Sequence, residues 1–254
     1  MKPVIAFSPA DEKNMPLFEK MCNSLRKFHS EEELPLKLIG PGELARISDP
    51  MKFYRMTPMI AKDLLDDYET VIKLDADQII TGKLNHVWEQ ADYDVACVQN
   101  SNPREFKSYP VSVWDINPLL YLNCGFVAMR NKKFVDHWWD LCNSDHFNNY
   151  QMKEQDLLNI MCFYGDYKVR LLDMSNRWHG LVSKGYWNLI ELKGERLVLP
   201  KNEQWPRDED KEIVCIHIAG GNVNKDNLGI YFRPEVLRRL TWLTSASSVK
   251  SKQQ

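Results

Sequence analysis

Apolar positions follow two periods along this chain, the alternation of a β-strand and the repeat of an α-helix. Near the start they predict a strand at residues 3–7, a helix at 15–28 and a strand at 36–39, closed by a turn at 40–42. A strand, a helix and a second strand in succession are the unit from which parallel sheets are built. The opening pattern therefore predicts an α/β protein.

The same two periods continue to the C-terminal part of the chain. A helix is predicted at residues 46–68, in two pieces because Pro58 removes a backbone donor inside it. Further strands are predicted at residues 71–74, 94–98, 121–129, 169–172, 197–199 and 213–218. Further helices are predicted at residues 84–91, 132–142, 154–163 and 234–243. We expect one domain over residues 1–244 with a mostly parallel central sheet flanked by helices, and a disordered tail at 245–254 that is rich in Ser, Lys and Gln.

The stretch from Val71 to Ile80 is the most informative part of the sequence. A buried apolar strand ends there in two carboxylates, Asp75 and Asp77, which point the same way in an extended chain. Two like charges so close repel each other unless a cation lies between them or one keeps its proton. Hard divalent ions such as Mg²⁺ and Mn²⁺ take carboxylate oxygens together with substrate phosphates. The pattern indicates a metal and phosphate site at the carboxyl end of a strand, where open α/β sheets bind ligands; a solvated Asp-x-Asp turn is the simpler alternative.

Composition and charge narrow the functional classes. The chain of 254 residues has a formal net charge of −2 and a pI near 6.3. General nucleic-acid binding is not expected, because it draws on a clear excess of Lys and Arg. No apolar run approaches the roughly 20 residues that span a bilayer, and the first apolar run is too short for a signal peptide, so we expect a cytoplasmic protein without a transmembrane segment. The six cysteines include no Cys-x-x-Cys pair, which argues against zinc and redox motifs.

Four motifs, in this order, resemble those of the GT-A-fold glycosyltransferases, and of family 8 in particular, the group of glycogenin and the LgtC-like galactosyltransferases. They are Leu74-Asp75-Ala76-Asp77 with the upstream Tyr54-Arg55, Asn123-Cys124-Gly125-Phe126 with Arg130-Asn131, Glu154-Gln155-Asp156-Leu157-Leu158-Asn159, and His217-Ile218-Ala219-Gly220 with Lys225. Each motif alone is weak, and four in sequence are specific. The resemblance covers residues 4–232 and implies a single GT-A domain, which is the Rossmann-like fold of nucleotide-diphospho-sugar transferases.

The resemblance also implies a metal ion and a nucleotide. Asp75, Asp77 and His217 would hold Mn²⁺ or Mg²⁺, which bridges the diphosphate of a nucleotide sugar, usually a UDP-sugar. An isolated His is more often a core residue, but the glycines after His217 let backbone N–H groups approach a phosphate. The cofactor-binding positions that the resemblance implies are Ser8, Asp11, Arg55, Asp75, Ala76, Gly125, Gly220 and Lys225, so Asp75 would contact both the metal ion and the nucleotide sugar.

Several of these positions have simpler interpretations. Ser8 and Asp11, expected to receive the uracil and ribose, also suit an ordinary turn. Arg55 and Lys52, either of which could reach the diphosphate, also suit a solvated helix face. Lys225 comes two positions later than the usual family spacing His-x-x-Gly-x-x-Lys.

The donor sugar and the acceptor would be bound by polar and aromatic side chains. The resemblance implies catalytic roles at the donor sugar for Asn123, Gln155 and Asp156, although an acid at the start of a helix also complements the helix dipole. Aromatic faces suit the apolar faces of sugar rings, so Trp114, Trp178 and Trp187 are candidates for an acceptor wall; core or surface packing is the alternative for each.

The expected reaction is metal-dependent transfer of a sugar from a nucleotide sugar to an acceptor hydroxyl, and the resemblance implies retention at the anomeric carbon. The acceptor stays open among a glycan, a protein, a lipid and a modified base. One alternative is a non-catalytic nucleotide-sugar or carbohydrate-binding domain of the same fold. Two others are a sugar nucleotidyltransferase, which would carry a Gly-rich basic loop after the first strand, and a metal-dependent phosphate-ester hydrolase.

Overall fold

The structure is a computed structural model of the full chain. It describes residues 2–47, 52–90, 92–100, 112–172, 177–180, 187–201, 210–218 and 227–246, and only the backbone for Lys52, Leu119 and residues 177–180. The strands are β1 (Lys2–Pro9), β2 (Leu36–Ile39), β3 (Tyr68–Leu74), β4 (Gln78–Ile80), β5 (Val95–Gln99), β6 (Leu122–Met129), β7 (Val169–Leu171), β8 (Arg177–Gly180), β9 (Glu191–Lys193), β10 (Arg196–Leu199) and β11 (Lys211–His217). The helices are α1 (Met15–Arg26), α2 (Pro41–Arg46), α3 (Lys52–Leu64), α4 (Asn85–Glu89), α5 (Lys132–Cys142), α6 (Glu154–Tyr164) and α7 (Pro234–Thr244).

The central sheet has, among the described residues, six strands in the order β2-β1-β3-β6-β5-β7. Strand β6 runs antiparallel to both of its neighbours, and the other neighbouring pairs are parallel. Helices α3, α5 and α6 contribute to the apolar core on one face, and α1 and α4 contribute to the core on the other face. The predicted α/β fold with a mostly parallel sheet between helices is confirmed.

Strand β3 shows how the alternation of side chains divides the two cores. Val71 belongs to the core beneath α3 and α5, whereas Ile72 and Leu74 belong to the core beneath α1. Lys73 lies on the same side of the strand as Val71, since side chains alternate with period two. A charged residue is thus placed beside an apolar core, two positions before Asp75.

A second, smaller sheet carries the C-terminal strands, and the sequence patterns did not predict it. Its order is β4-β11-β10-β9, and β8 also pairs with β11, in parallel. β4 begins directly after Asp77 and pairs antiparallel with β11, so that His217 lies opposite Gln78. The pairing brings the end of the last strand to the two carboxylates that follow β3.

Two predictions of local structure are wrong. Residues 40–42 do not close the second strand as a turn, because Pro41 begins helix α2, a position where its missing donor costs nothing. Helix α3 continues through Pro58 rather than breaking there. Burial of Met56 and Ala61 on its core-facing side stabilises the helix against the loss of one hydrogen bond.

Parts of the predicted organisation fall outside the described residues. The main one is the predicted tail, most of which is not described because the description ends at residue 246. Among the helices that the structure describes, none has the length and apolar character needed to cross a membrane.

Candidate active site

Three predicted ligand residues come together at the carboxyl end of β3. Ligand atoms of Asp75, Asp77 and His217 all lie within 4.8 Å of one another. Nε2 of His217 is 2.9 Å from Oδ1 of Asp77 and 3.4 Å from Oδ2 of Asp75. Ligand atoms on adjacent corners of an octahedron, each about 2.1 Å from a central ion, are about 3 Å apart. Two carboxylate oxygens and one imidazole nitrogen at these separations fit a divalent ion such as Mn²⁺ or Mg²⁺.

Backbone hydrogen bonds hold the two aspartates in a tight connection between β3 and β4. The N–H of Asp75 donates to the carbonyl of Gly125 on β6 over 2.9 Å, and the N–H of Ile218 donates to the carbonyl of Asp77 over 3.0 Å. The side-chain amide of Gln78 donates to the same Gly125 carbonyl over 2.8 Å. Strands from both sheets therefore fix the positions of the carboxylates.

Gly125 leaves the space that the His217 imidazole occupies. A Cβ atom at this position would lie 2.7 Å from Nδ1 of His217 and also 2.7 Å from Oδ1 of Asn123, and still closer to Cε1 of the imidazole. Such contacts are shorter than van der Waals separation, so any larger residue would displace the ring. The family resemblance implies a cofactor contact at Gly125; its neighbour in the structure is the His217 side chain.

The electrostatics of the cluster favour a positive charge between the carboxylates. Burial alone would lower the pKa of His217, but Asp77 and Asp75 outweigh it and raise the pKa to about 9. The pKa of Asp75 is lowered: burial would raise it, but the Lys73 ammonium and the bond from His217 prevail. A divalent ion can replace the imidazolium proton once the imidazole becomes neutral.

Lys73 is a member of this cluster that the sequence analysis did not identify. Its side chain, in a residue only 5% exposed, donates to Oδ1 of Asp75 and, over 2.8 Å, to the carbonyl of Cys124. Burial would lower the pKa of Lys73, but the Asp75 carboxylate outweighs burial and the pKa is raised. The available signal was a single Lys in an apolar strand, two residues before an aspartate.

Glu154 is a second site residue whose own role the sequence analysis did not predict. It is 8% exposed, its Oε1 accepts from Sγ of Cys124 over 3.5 Å, and its Oε2 has no hydrogen-bond partner among the described residues. Burial raises the pKa of its carboxyl to about 8, against the opposing effect of Lys73. Glu154 and the metal-ligand cluster border one cavity of about 420 Å³, which is lined by Pro9, Asn14, Phe53, Tyr54, Lys73, Asp75, Ala76, Asp77, Cys124 and Glu154.

The start of helix α6 is bound to the start of strand β6 through side-chain amides. Oε1 of Gln155 accepts from the N–H of Cys124 over 3.0 Å and from Nδ2 of Asn123 over 3.3 Å. Oδ1 of Asn123 accepts from the N–H of Gly125 over 2.7 Å. Nε2 of Gln155 has no partner within the described part of the chain, so it is a buried donor that is left unsatisfied there.

Asp156 differs from Gln155 in having its carboxylate engaged within the protein. It is fully buried and accepts bonds from the Tyr121 hydroxyl and, over 2.8 Å, from the N–H of Met152. One turn later, Asn159 pairs with both the N–H and the carbonyl of Leu122. These bonds dock α6 onto β6, and Asp156 lies in the first turn of α6, where an acid also complements the helix dipole.

The described residues among the predicted nucleotide contacts do not line the cavity themselves: Ser8 and Arg55 are each adjacent in sequence to a lining residue, and Asp11 bonds to one. Ser8 is fully buried at the end of β1, and its hydroxyl has no partner among the described residues. Asp11 accepts from the backbone and the side chain of Asn14, a cavity-lining residue, over 2.9 and 2.8 Å. The guanidinium of Arg55 lies over the ring of Phe147, 4.7 Å from its centroid. Gly220, Lys225 and the side chain of Lys52 are outside the described residues.

The three tryptophans proposed as an acceptor wall have different environments. Trp187 is 1% exposed and stacks on Phe232 in the core of the second sheet, so its assignment to the acceptor wall is wrong. Trp114 is 37% exposed and packs against Tyr164, at the far end of α6 from Glu154. The side chain of Trp178 is not described.

No protein-family model matches the chain, and no curated protein matches it. The structure does match that of the galactosyltransferase LgtC in complex with donor and acceptor sugar analogues, with a TM-score of 0.57 and 15% identity over 98% of each chain. The fold is GT-A. A glycosyltransferase involved in glycosylation of the major capsid of PBCV-1 matches this GT-A domain with a TM-score of 0.53 and 11% identity, over 94% of this chain and 98% of the other.

The bifunctional glycosyltransferase WbbM shares the GT-A fold of this chain within a longer protein. The TM-score is 0.55 and the identity 13%, over 96% of this chain and 52% of WbbM. The chain thus spans about half the length of WbbM. The predicted GT-A fold is confirmed.

Proposed function

We propose that this protein is a metal-dependent glycosyltransferase that moves a sugar from a UDP-sugar to an acceptor hydroxyl with retention of anomeric configuration. The observation that carries the proposal is the cluster of Asp75, Asp77 and His217 at the carboxyl end of β3 in a GT-A fold. It opens into a cavity of about 420 Å³ whose walls combine carboxylates, an ammonium and aromatic rings. Such walls suit the polar and apolar faces of a nucleotide sugar.

The metal ligands in this proposal are Oδ1 of Asp77, Oδ2 of Asp75 and Nε2 of His217. Mn²⁺ or Mg²⁺ bound there supplies Lewis-acid stabilisation of the charge that develops on the leaving diphosphate. The chain's own part is to hold its ligand atoms at the observed separations, through the backbone bonds to Gly125 and Ile218. Ala76, Gly220 and Lys225 remain proposed diphosphate contacts on the basis of the family resemblance.

The donor sugar is proposed to lie against Glu154, Gln155 and Asn123. Among the described residues, Oε2 of Glu154 and Nε2 of Gln155 have no hydrogen-bond partner, so the first can accept from a sugar hydroxyl and the second can donate to one. Both groups are buried, so they gain from a ligand that replaces the hydrogen bonds they lack. Asp156 acts in this proposal by holding α6 in place for these two neighbours.

The nucleoside is proposed to lie at the end of β1, against Ser8, Asp11 and the first turn of α3. Phe53 and Tyr54 line the cavity there and are exposed enough to stack on a base. Arg55, on the same turn, is proposed to reach the diphosphate. One domain over residues 1–244 would provide all of these contacts.

The first test is thermal stability of the purified protein with a panel of nucleotides and nucleotide sugars, with and without Mn²⁺. A ligand that binds only the folded state raises the unfolding midpoint. We expect a rise with UDP and with one UDP-sugar that requires Mn²⁺. If the midpoint rises only with another nucleotide, that nucleotide takes the place of UDP in the proposed donor. If no nucleotide raises the midpoint, the non-catalytic carbohydrate-binding alternative is favoured.

Release of UDP then separates the catalytic alternatives. We expect slow UDP release from the stabilising donor alone and faster release when a mixture of hydroxyl-bearing acceptors is added. Full-rate cleavage without acceptor would indicate a hydrolase, and release of pyrophosphate from a nucleoside triphosphate and a sugar phosphate would indicate a nucleotidyltransferase.

A further inference from the structure

The buried ammonium of Lys73 shares Asp75 with the proposed metal ion. Lys73 donates to Oδ1 of Asp75, and Oδ2 of the same carboxylate faces His217. Its other observed partner is the carbonyl of Cys124, a neutral group. One oxygen of Asp75 is therefore committed within the protein, and one is left for a metal ion.

The charge count of the cluster follows from this arrangement. Asp75 and Asp77 carry two negative charges. The Lys73 ammonium, at hydrogen-bonding distance from Oδ1 of Asp75, contributes one positive charge. With a neutral imidazole at His217, the described cluster is left with a single net negative charge. A divalent ion is only half neutralised by this site, and it lies near a fixed ammonium in partly buried surroundings, where like charges repel more strongly than in water.

The diphosphate of the proposed donor completes the charge balance. Its negative oxygens would enter the same cavity, which Lys73 also lines. Ion and diphosphate then each improve the binding of the other, because thermodynamic coupling between two ligands is reciprocal.

We propose that Lys73 is a positioning residue that makes divalent-ion binding depend on the donor's diphosphate. It does so by limiting Asp75 to one metal-facing oxygen and by adding a permanent positive charge beside the ion. This inference rests on the proposed function. A purely structural role predicts a different result. Loss of a structural ion pair would weaken the binding of every ligand, whereas loss of Lys73 is expected to strengthen the binding of the divalent ion in the absence of UDP.

The experiment is a calorimetric titration of Mn²⁺ into the full chain, in the absence and presence of saturating UDP. Wild type should bind Mn²⁺ weakly alone and at least about fivefold more tightly with UDP, the lower end of typical coupling between sites. Lys73→Met keeps the length and apolar stem of the side chain and removes its charge. It should bind Mn²⁺ alone at least about fivefold more tightly than wild type, and UDP should then improve binding less.

Two further variants separate charge from packing. Lys73→Arg keeps a positive charge and should bind Mn²⁺ alone as weakly as wild type. Lys62→Met removes a cation from an ion pair with Asp136 on the α3 surface and should leave both Mn²⁺ titrations unchanged. Thermal unfolding of each variant, followed by circular dichroism, reports whether it is folded.

Several outcomes would overturn the proposal. One is a wild type that binds Mn²⁺ equally tightly with and without UDP, which can be decided even if Lys73→Met does not fold. Another is tighter Mn²⁺ binding by Lys73→Arg, or unchanged or weaker binding by folded Lys73→Met. These outcomes would contradict the role of Lys73 and leave the proposed metal site unaffected. If wild type binds no Mn²⁺ under either condition, the proposed metal-dependent function is contradicted as well.

Discussion

Nε2 of His217 lies 2.9 Å from Oδ1 of Asp77, although the two residues come from widely separated parts of the chain. The antiparallel pairing of β4 with β11 sets this distance by placing His217 opposite Gln78, the neighbour of Asp77. The N–H of Ile218 completes the register by donating to the Asp77 carbonyl. An acid after one strand and a histidine at the end of another thereby become one candidate metal site.

Asp77→Asn should abolish sugar transfer and leave the fold intact. The substitution removes the charge of a side chain that is 16% exposed at a strand end, outside the apolar cores. We expect a loss of UDP release of about 100-fold or more, since Lewis-acid stabilisation is worth several kcal/mol, with a nearly unchanged thermal midpoint. Asp67→Asn, at an exposed acid in the turn before β3, is the matched control. Full activity of Asp77→Asn would contradict the assignment of Asp77 as a metal ligand.

Gly125→Ala should impair Mn²⁺ binding through the position of His217. The added methyl group would lie 2.7 Å from Nδ1 of the imidazole, so the ring must move away from the aspartates. We expect weaker Mn²⁺ binding in a calorimetric titration with UDP present, together with reduced UDP release. Gly42→Ala is the control, because a Cβ at Gly42 meets nothing within 4 Å. Wild-type Mn²⁺ affinity in Gly125→Ala would show that the His217 position is not needed for the ion.

Glu154→Gln should change how stability depends on pH. Burial raises the pKa of this carboxyl from 4.5 to about 8, so the folded state holds the proton more tightly than the unfolded state does. The stabilising contribution of that proton is full below pH 4.5 and is lost as the pH rises through about 8. Gln stays neutral throughout and avoids this loss.

Urea unfolding at a series of pH values measures the difference. We expect the free energy of unfolding of Glu154→Gln, relative to wild type, to increase between pH 5 and about 8 and then to level off. Glu19→Gln, at an exposed position on α1, should follow the wild type at each pH. Parallel pH profiles for wild type and Glu154→Gln would contradict a buried carboxyl with a raised pKa at this position.

Asn159→Ala should destabilise the fold more than it affects the chemistry. Asn159 satisfies both the N–H and the carbonyl of Leu122 at the buried start of β6. Leaving a buried polar group without a partner costs about 1–3 kcal/mol, so we expect a clear drop in the urea midpoint. Asn143→Ala, at an exposed amide that bonds its own helix end, should cost much less. Equal stabilities of the two variants would mean that Asn159 does not dock α6 onto β6.

The local elements could be predicted because their causes are local. Helix α5 spans the predicted residues 132–142, since its apolar repeat and the Asn131 side chain that caps it are contiguous in sequence. Asp75 and Asp77 could be assigned to the ligand-binding edge of the sheet from local sequence as well. An apolar run that ends in charged residues marks the end of a buried strand.

Long-range contacts could not be predicted in this way. Burial of Lys73 depends on Cys124 from β6, and burial of Trp187 depends on Phe232 near the end of the chain. Neither partner is adjacent in sequence, and the same side chains would suit a solvated surface.

The sequence by itself determined the fold class, the order of the motifs and the position of two aspartates at a strand end. Only the tertiary structure decided that β4 and β11 form a second sheet, that His217 fills the space above Gly125, and that Lys73 and Glu154 belong to the same cavity. The physical reason is that periodicity and turn chemistry act over a few residues, whereas the charge balance of a site depends on which strands pair.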